Sequence, residues 1–369
     1  MRSLTLLLLV AILALPGSSA SQGQKKSPPE QKRECGTVVR PEQVKAELSR
    51  KTDTARTLVA PPINAPYYLP LTIHFVRRTN STGGFTADQL EVAMRNLNEH
   101  WQQVGVQFFV HGYIRYIDDD QFFEIGVNSP KLDTLRTIDV VPKTINVYFT
   151  NLTRIGGLSS FTGDPVQGIL MDIDTTPTNP SLFAHEVGHY LDLYHTHEAE
   201  AFGLECPGGD CDDDGDRMCD TPPDPGLKLD DLTGKGYRVD VNCAYDGSFD
   251  TSCSGNYAPS TVNIMSYSRP SCIWEFTPQQ ITKALNTLRN NSDRKQLITN
   301  GVRYVSSTAG DSSSCTYDSP CKTIQKAVAA SATGYRVYLK PGTYQSANIN
   351  DKALSYNRWG FEGVVQLVP

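Results

Sequence analysis

The run His185-Glu186-Val187-Gly188-His189-Tyr190-Leu191-Asp192-Leu193-Tyr194-His195 constrains this chain more than any other stretch. On an α-helix, residues four apart lie one above the other, so the imidazoles of His185 and His189 can converge on one cation. Glu186 sits one position round, where a carboxylate can take a proton from an attacking water without itself becoming a ligand. A continuous helix would carry His195 about 9 Å beyond His189 and about 240° round the axis, out of reach of the same ion. The spacing therefore predicts that the helix ends near Asp192 and that the chain doubles back there. Asp192 must then adopt a left-handed conformation, at a cost of roughly 1 kcal/mol for a non-glycine residue. Three imidazole nitrogens and an open fourth position are the ligand set of a catalytic zinc ion. Seven histidines occur in 369 residues, and four of them, His185, His189, His195 and His197, fall inside thirteen positions. The competing account is that these histidines cap or line an ordinary helix.

Around that run the composition is that of a globular protein, 39% hydrophobic and 20% charged. The net charge of −6 leaves no basic stripe and argues against nucleic acid as a partner. Residues 1–20 combine Arg2, an apolar run from Leu4 to Leu15 and the small residues Ser18-Ser19-Ala20, and read as a secretory signal. A membrane anchor is the other reading, for which the run is short. The mature protein is expected to be secreted and extracellular, without a membrane span, and monomeric. Nine cysteines fit an oxidising compartment and leave one unpaired. Cys206, Cys211, Cys219, Cys243, Cys253 and Cys272 cluster after the histidine run, Cys315 and Cys321 lie in the tail as further disulfide candidates, and Cys35 stands alone.

Residues 21–62 are rich in Lys, Gln, Pro and Glu and read as a pro-segment. Residues 63–300 read as one domain. Tyr67 to Val76 has the apolar, β-branched character of a strand; Thr86 and Gln89 form a capping box opening a helix to about Val104, with Leu90, Met94, Leu97 and Trp101 on its core face. A strand from about Val106 to Ile117 follows, then one at Ile145 to Phe149 and short strand-like runs at Gly157 to Phe161 and Gly168 to Ile173. Cys206 to Cys272 is irregular, and cross-links would replace a core there. Asp210, Asp212, Asp214 and Asp220 belong to an acidic cluster with partial calcium-loop spacing; a shared calcium ion or a solvated acidic loop both account for it. Thr277 and Pro278 open a helix to about Leu297.

His185 to His195 with Thr196, the segment Cys219-Asp220-Thr221-Pro222, and Met265 followed by Tyr267 together resemble the pappalysin family of secreted metzincins over roughly residues 35 to 300. The resemblance implies a two-lobed α+β zinc-peptidase fold: a mixed twisted sheet with helices above the cleft and an irregular, disulfide-linked lobe below, followed by a β-rich C-terminal segment. It implies Zn2+ and structural Ca2+, with Met265 as the apolar floor under the zinc ligands and Tyr267 near the metal as an oxyanion donor. It further implies that Gly157 to Phe161 is an edge strand that pairs with an extended peptide or protein substrate. By the family's pattern Cys219 pairs with Cys253 and Cys243 with Cys272, which leaves Cys206 near enough in sequence to pair with Cys211. Cys35-Gly36 resembles the family's latency device, a thiolate in the open metal position; a structural disulfide is the alternative. The family usually has glycine where Asp192 stands. Residues 301–369 resemble the opening of a pectate-lyase-like parallel β-helix, with a disulfide-stapled tail packed on the protease as the other reading.

The expected activity is that of a zinc endopeptidase with Glu186 as general base. The alternative is an extracellular adhesin or glycan-binding protein whose function lies in the tail and whose metal site is not catalytic. A zinc hydrolase of non-peptide amides or esters is a third possibility, against which the edge strand argues.

Overall fold

The computed structural model describes residues 33–49, 66–229, 236–249, 251, 253–310, 314–317, 319–346, 354–358 and 364–368. The expected signal and much of the expected pro-segment lie outside these residues. The described chain begins with a short strand, β1 (Arg33–Cys35), and a helix, α1 (Pro41–Ser49). β2 (Tyr67–Arg77) follows, and nine of its eleven residues are buried. Such a continuous apolar run belongs to a strand covered on both faces. One face carries Leu69, Leu71, Ile73 and Phe75 into a core shared with α2 (Ala87–Trp101), whose stripe Leu90, Met94, Leu97 and Trp101 is buried as its spacing predicts. The Thr86–Gln89 capping box forms at its start.

The predicted strand from Val106 to Ile117 is two strands, β3 (Val106–Val110) and β4 (Arg115–Asp118), both parallel to β2. The break falls at Gly112, which takes a left-handed backbone at φ 75°. α3 (Asp120–Phe123), β5 (Glu124–Gly126) and α4 (Lys131–Leu135) follow, and Ile125, Leu132 and Leu135 pack with Val76 and Tyr148 in a second core. β6 (Ile145–Thr153) is longer than the run read from the sequence and pairs in parallel with β2. β7 (Ile155–Ser159) and β8 (Ile169–Asp172) complete the sheet, whose order is β1-β7-β8-β6-β2-β3, with β4 also on β2 and β5 on β6. Only β7 and β8 are antiparallel to each other. β1, which lies in the expected pro-segment, covers β7 in parallel.

Between these layers His74 is wholly buried, stacked on Tyr148 at 4.2 Å between ring centroids, with Nε2 3.2 Å from Asn146 Oδ1 and Nδ1 without a partner. Burial lowers its pKa to about 4. The unfolded chain therefore binds the proton that the fold refuses between about pH 6.5 and 4, and stability falls as the pH drops through that window, by up to about 3 kcal/mol. Inactive protein is expected to melt at a lower temperature at pH 4.5 than at pH 7. His74→Phe, which keeps the stack, should shrink that difference by the share of His74, the buried His185, His189, His195 and His197 contributing with the same sign; an unchanged difference would assign the acid lability wholly to them.

α5 (Leu182–Tyr190) carries the first two histidines and lies against α2, with Trp101 Nε1 donating to Ala184 O at 3.2 Å. The lower lobe, residues 191–277, contains no helix among its described residues, and α6 (Pro278–Asn290) closes it. The helix expected to run to Leu297 stops at Asn291, whose side chain accepts from the amides of Asp293 and Arg294 and starts α7 (Ser292–Lys295). In the tail, β9 (Val302–Val305), α8 (Ile324–Ala329), β10 (Arg336–Leu339), β11 (Gly342–Gln345), β12 (Ser355–Arg358) and β13 (Val365–Val368) form two parallel sheets, β12-β10-β9 and β11-β13. Val302, Tyr304, Tyr317 and Tyr338 join the main core, and Tyr338 packs on Phe109 at 5.7 Å.

Candidate active site

His185 and His189 occupy successive turns of α5, with their Nε2 atoms 3.1 Å apart. The helix ends at Tyr190, and the Leu193 amide returns to Gly188 O at 3.0 Å. Asp192 takes φ 65°, the left-handed turn the spacing requires. That turn brings His195 Nε2 to 3.0 Å from His189 Nε2. The aspartate also does what glycine could not: its carboxylate accepts from the Thr162 amide at 2.9 Å and from the hydroxyls of Thr162 and Thr287 at 2.7 and 3.1 Å. These bonds offset the backbone strain and tie the turn to α6.

The ring nitrogens away from the centre face carbonyls, His185 Nδ1 that of Ile264 at 2.7 Å and His189 Nδ1 that of Leu193 at 2.8 Å. A carbonyl can only accept, so the Nδ1 atoms carry the protons and the Nε2 lone pairs point inward. Burial lowers the His185 pKa to about 4 and holds those of His189 and His195 well below the usual imidazole range, keeping all three neutral. Neutral imidazoles with lone pairs turned on one point are the donor set zinc takes.

Met265 lies buried beneath this group, and a Cβ on Gly188 would collide with its sulfur, so the glycine permits the floor. The Tyr267 ring sits 4.9 Å from that of His195. His197, to which the sequence assigned no role, stacks on His195 at 4.9 Å and lies tilted against Tyr267 at 4.4 Å. Glu186 is fully buried under β7, where a Cβ on Gly157 would come within 2.5 Å of its carboxylate. The Glu186 carboxylate accepts from Thr37 Oγ1 at 3.2 Å and lies beside the Cys35 thiol; burial, against both contacts, pushes its pKa up to about 8.

Cys35 is unpaired and buried, and its sulfur and one nitrogen from each of His185, His189 and His195 all lie within 4.8 Å of one another. The disulfide alternative for Cys35 is therefore excluded. Backbone pairing holds it there: Cys35 stands opposite Gly157, and the Gly36 amide donates to Gly157 O at 2.8 Å. A side chain on Gly36 would collide with Ile155. Thr37 donates its amide to Cys35 Sγ at 3.2 Å, and its hydroxyl accepts from the Ser159 amide at 2.8 Å. Tyr267 OH donates to Cys35 O at 3.0 Å. The role of Thr37 was invisible in the sequence because Glu186 and Ser159 lie more than a hundred residues away.

Two expectations for the lower lobe are corrected. The bridges are Cys206–Cys253, Cys211–Cys219 and Cys243–Cys272, so only the last matches the family's pattern; Cys315–Cys321 forms in the tail. The tight turn at Asp210, which accepts from the amides of Asp213 and Asp214, folds the acidic loop back and brings Cys219 to Cys211 at 5.0 Å between Cα atoms. Asp220 leaves the acidic cluster: its oxygens accept from Thr277 Oγ1 at 2.7 Å and the Gln279 amide at 2.8 Å, at the start of α6. Among the described residues Asp210, Asp212 and Asp214 do not gather into a cation site either. The carboxylates this loop buries are Glu205 and Asp216, whose pKa values burial raises to about 7 and about 8.

Residues 161–289 match the sequence model of the family Peptidase_M43, described as pregnancy-associated plasma protein-A. An extracellular metalloprotease of Arthroderma gypseum is 24% identical over 299 residues, 74% of this chain and 87% of that protein. Extracellular metalloprotease 1 of Coccidioides posadasii is 26% identical over 301 residues, 74% of this chain and 94% of that protein. Among solved structures, a promirolysin variant of Tannerella forsythia aligns with a TM-score of 0.48 at 15% identity, over 72% of this chain and 97% of that one.

Proposed function

From the premise that the chain is a zinc metalloendopeptidase, whose residues 161–289 match the Peptidase_M43 model, we propose that it is exported as a latent precursor and cleaves peptide bonds with Glu186 as general base. The observation that carries this reading is the set of Cys35 Sγ and three histidine nitrogens within 4.8 Å of one another. His185, His189 and His195 would hold zinc through Nε2, and Cys35 would fill the fourth position. When bound, zinc supplies Lewis acidity, polarising a peptide carbonyl and acidifying water. Glu186 takes the proton of the attacking water and hands it to the leaving amine. Tyr267 donates its hydroxyl hydrogen to the developing oxyanion. β7 grips the substrate by its backbone, which suits a peptide of any sequence.

In the precursor the pro-segment engages each of these parts. Thr37 holds Glu186, the carbonyl of Cys35 holds the Tyr267 hydroxyl, and β1 covers β7. Extracellular metalloproteases among the relatives support export. The test is to express residues 21–369, remove the pro-segment, and incubate an unfolded protein with the product. Cleavage is expected only after removal, should stop with a chelator and should return with zinc. Cleavage that survives thorough chelation would sink the metal-dependent reading.

A further inference from the structure

The pro-segment does more than deliver Cys35. β1 runs parallel to β7, Thr37 bonds to Ser159, and the chain continues in the same direction until Arg40 and Gln43 reach Asp164, in the loop after β7. Asp164 divides its carboxylate. Oδ2 accepts from the Phe161 amide at 2.9 Å and shapes the loop. Among the described residues, the groups that reach Oδ1 are Gln43 Nε2 at 2.8 Å and Arg40 Nε at 3.4 Å. The nearby cation of the mature body, Arg136, hydrogen-bonds Asp133 and the Gly168 carbonyl and acts on Asp164 through space, with no hydrogen bond to it. Burial raises the Asp164 carboxyl above its usual pKa even against the pull of the Phe161 amide, Arg40 and Arg136, so a charge here gains from a further cationic partner. Once the pro-segment leaves, Oδ1 loses both partners and faces the track along β7.

We propose that Asp164 is an acidic subsite of the substrate cleft, selecting an arginine or lysine side chain on a peptide lying along β7, and that Arg40 and Gln43 occupy it in the precursor. The proposal rests on the peptidase reading above. Arg40 stands five residues beyond Cys35, at most about 17 Å along an extended strand. The selected side chain is therefore expected roughly four to six residues from the scissile bond, on one side of it only.

The experiment uses mature protein and a neutral peptide of one fixed cleavage sequence, with arginine moved singly through the six positions on each side of the bond. At one position arginine should raise kcat/KM about tenfold over alanine, the scale of one charge-assisted hydrogen bond. Asp164→Asn, which keeps an acceptor for the Phe161 amide, should abolish that ratio. Indifference to arginine at every position, or a preference that D164N retains, overturns the subsite. If mature wild type cuts neither this series nor an unfolded protein, the peptidase reading has failed first, and the two failures are distinguishable. A second measurement alters no residue of the mature enzyme: Arg40→Ala with Gln43→Ala in the full chain should shorten the lag before activity appears. An unchanged lag would overturn the claim that these residues hold the precursor at Asp164.

Discussion

Mature protein carrying Glu186→Ala is expected to lose peptide hydrolysis by at least about 10²- to 10⁴-fold, the range a positioned general acid–base group supplies, while still binding one zinc ion. The separation of the two effects follows from the site. The three Nε2 atoms are oriented by the Ile264 and Leu193 carbonyls and by the turn at Asp192, none of which touches Glu186. Glu186 is instead set by β7, where Gly157 leaves room for its carboxylate. Metal analysis of purified protein and cleavage of an unfolded substrate, measured on the same preparations, check both halves. A variant that cuts at the wild-type rate would remove Glu186 from the mechanism. A variant that loses zinc along with activity would make it a structural support of the metal site.

The legible parts of this protein were those governed by short-range geometry. Helical spacing placed His185 over His189, and the impossibility of His195 on the same helix placed a reversal at Asp192, where φ is 65°. Capping chemistry placed the starts of α2 and α6. Met265 and Tyr267 carried no local signal and were legible only through resemblance, because they reach the site over seventy residues of irregular chain. Partnerships formed by the fold were not legible. Thr37 meets Glu186 across 149 residues, and Gln43 meets Asp164 across 121. The disulfide connectivity depended on a turn at Asp210 that draws Cys219 to Cys211, and the acidic cluster dispersed because α6 needs Asp220 at its start. A few misses had signals at hand. Asn291-Ser292-Asp293 is a helix-starting sequence that ends one helix and opens another, and Gly112 marks the break between β3 and β4.

A chain ending at residue 300 is expected to be unfolded or strongly destabilised rather than to yield a smaller active protease. Truncation removes Val302, Tyr304, Tyr317 and Tyr338 from the main core, and it also removes the cost of ordering the tail, so those two changes partly offset. What nothing offsets is the surface left behind. Phe109, 1% exposed beneath Tyr338, and Tyr68, 8% exposed beside Arg303, would face water. At about 1.5–3 kcal/mol for each large apolar side chain, the loss is about 3–6 kcal/mol, set against a typical total of about 5–15 kcal/mol. The Lys340–Glu91 ion pair and the Tyr317 bond to Glu91 O are lost as well, with small effect at a wet surface. Comparing the urea midpoints of the full chain and the truncated chain, both carrying Glu186→Ala to prevent self-digestion, measures the difference. Tyr338→Ala in the full chain should reproduce part of it. Equal midpoints would mean that the tail is a separable module, and a surface-binding role for it would then be open to direct assay. A large fall would mean that residues 301–369 complete the scaffold of the β2–β3 edge and that α2, and through Trp101 the zinc helix, depend on them for position.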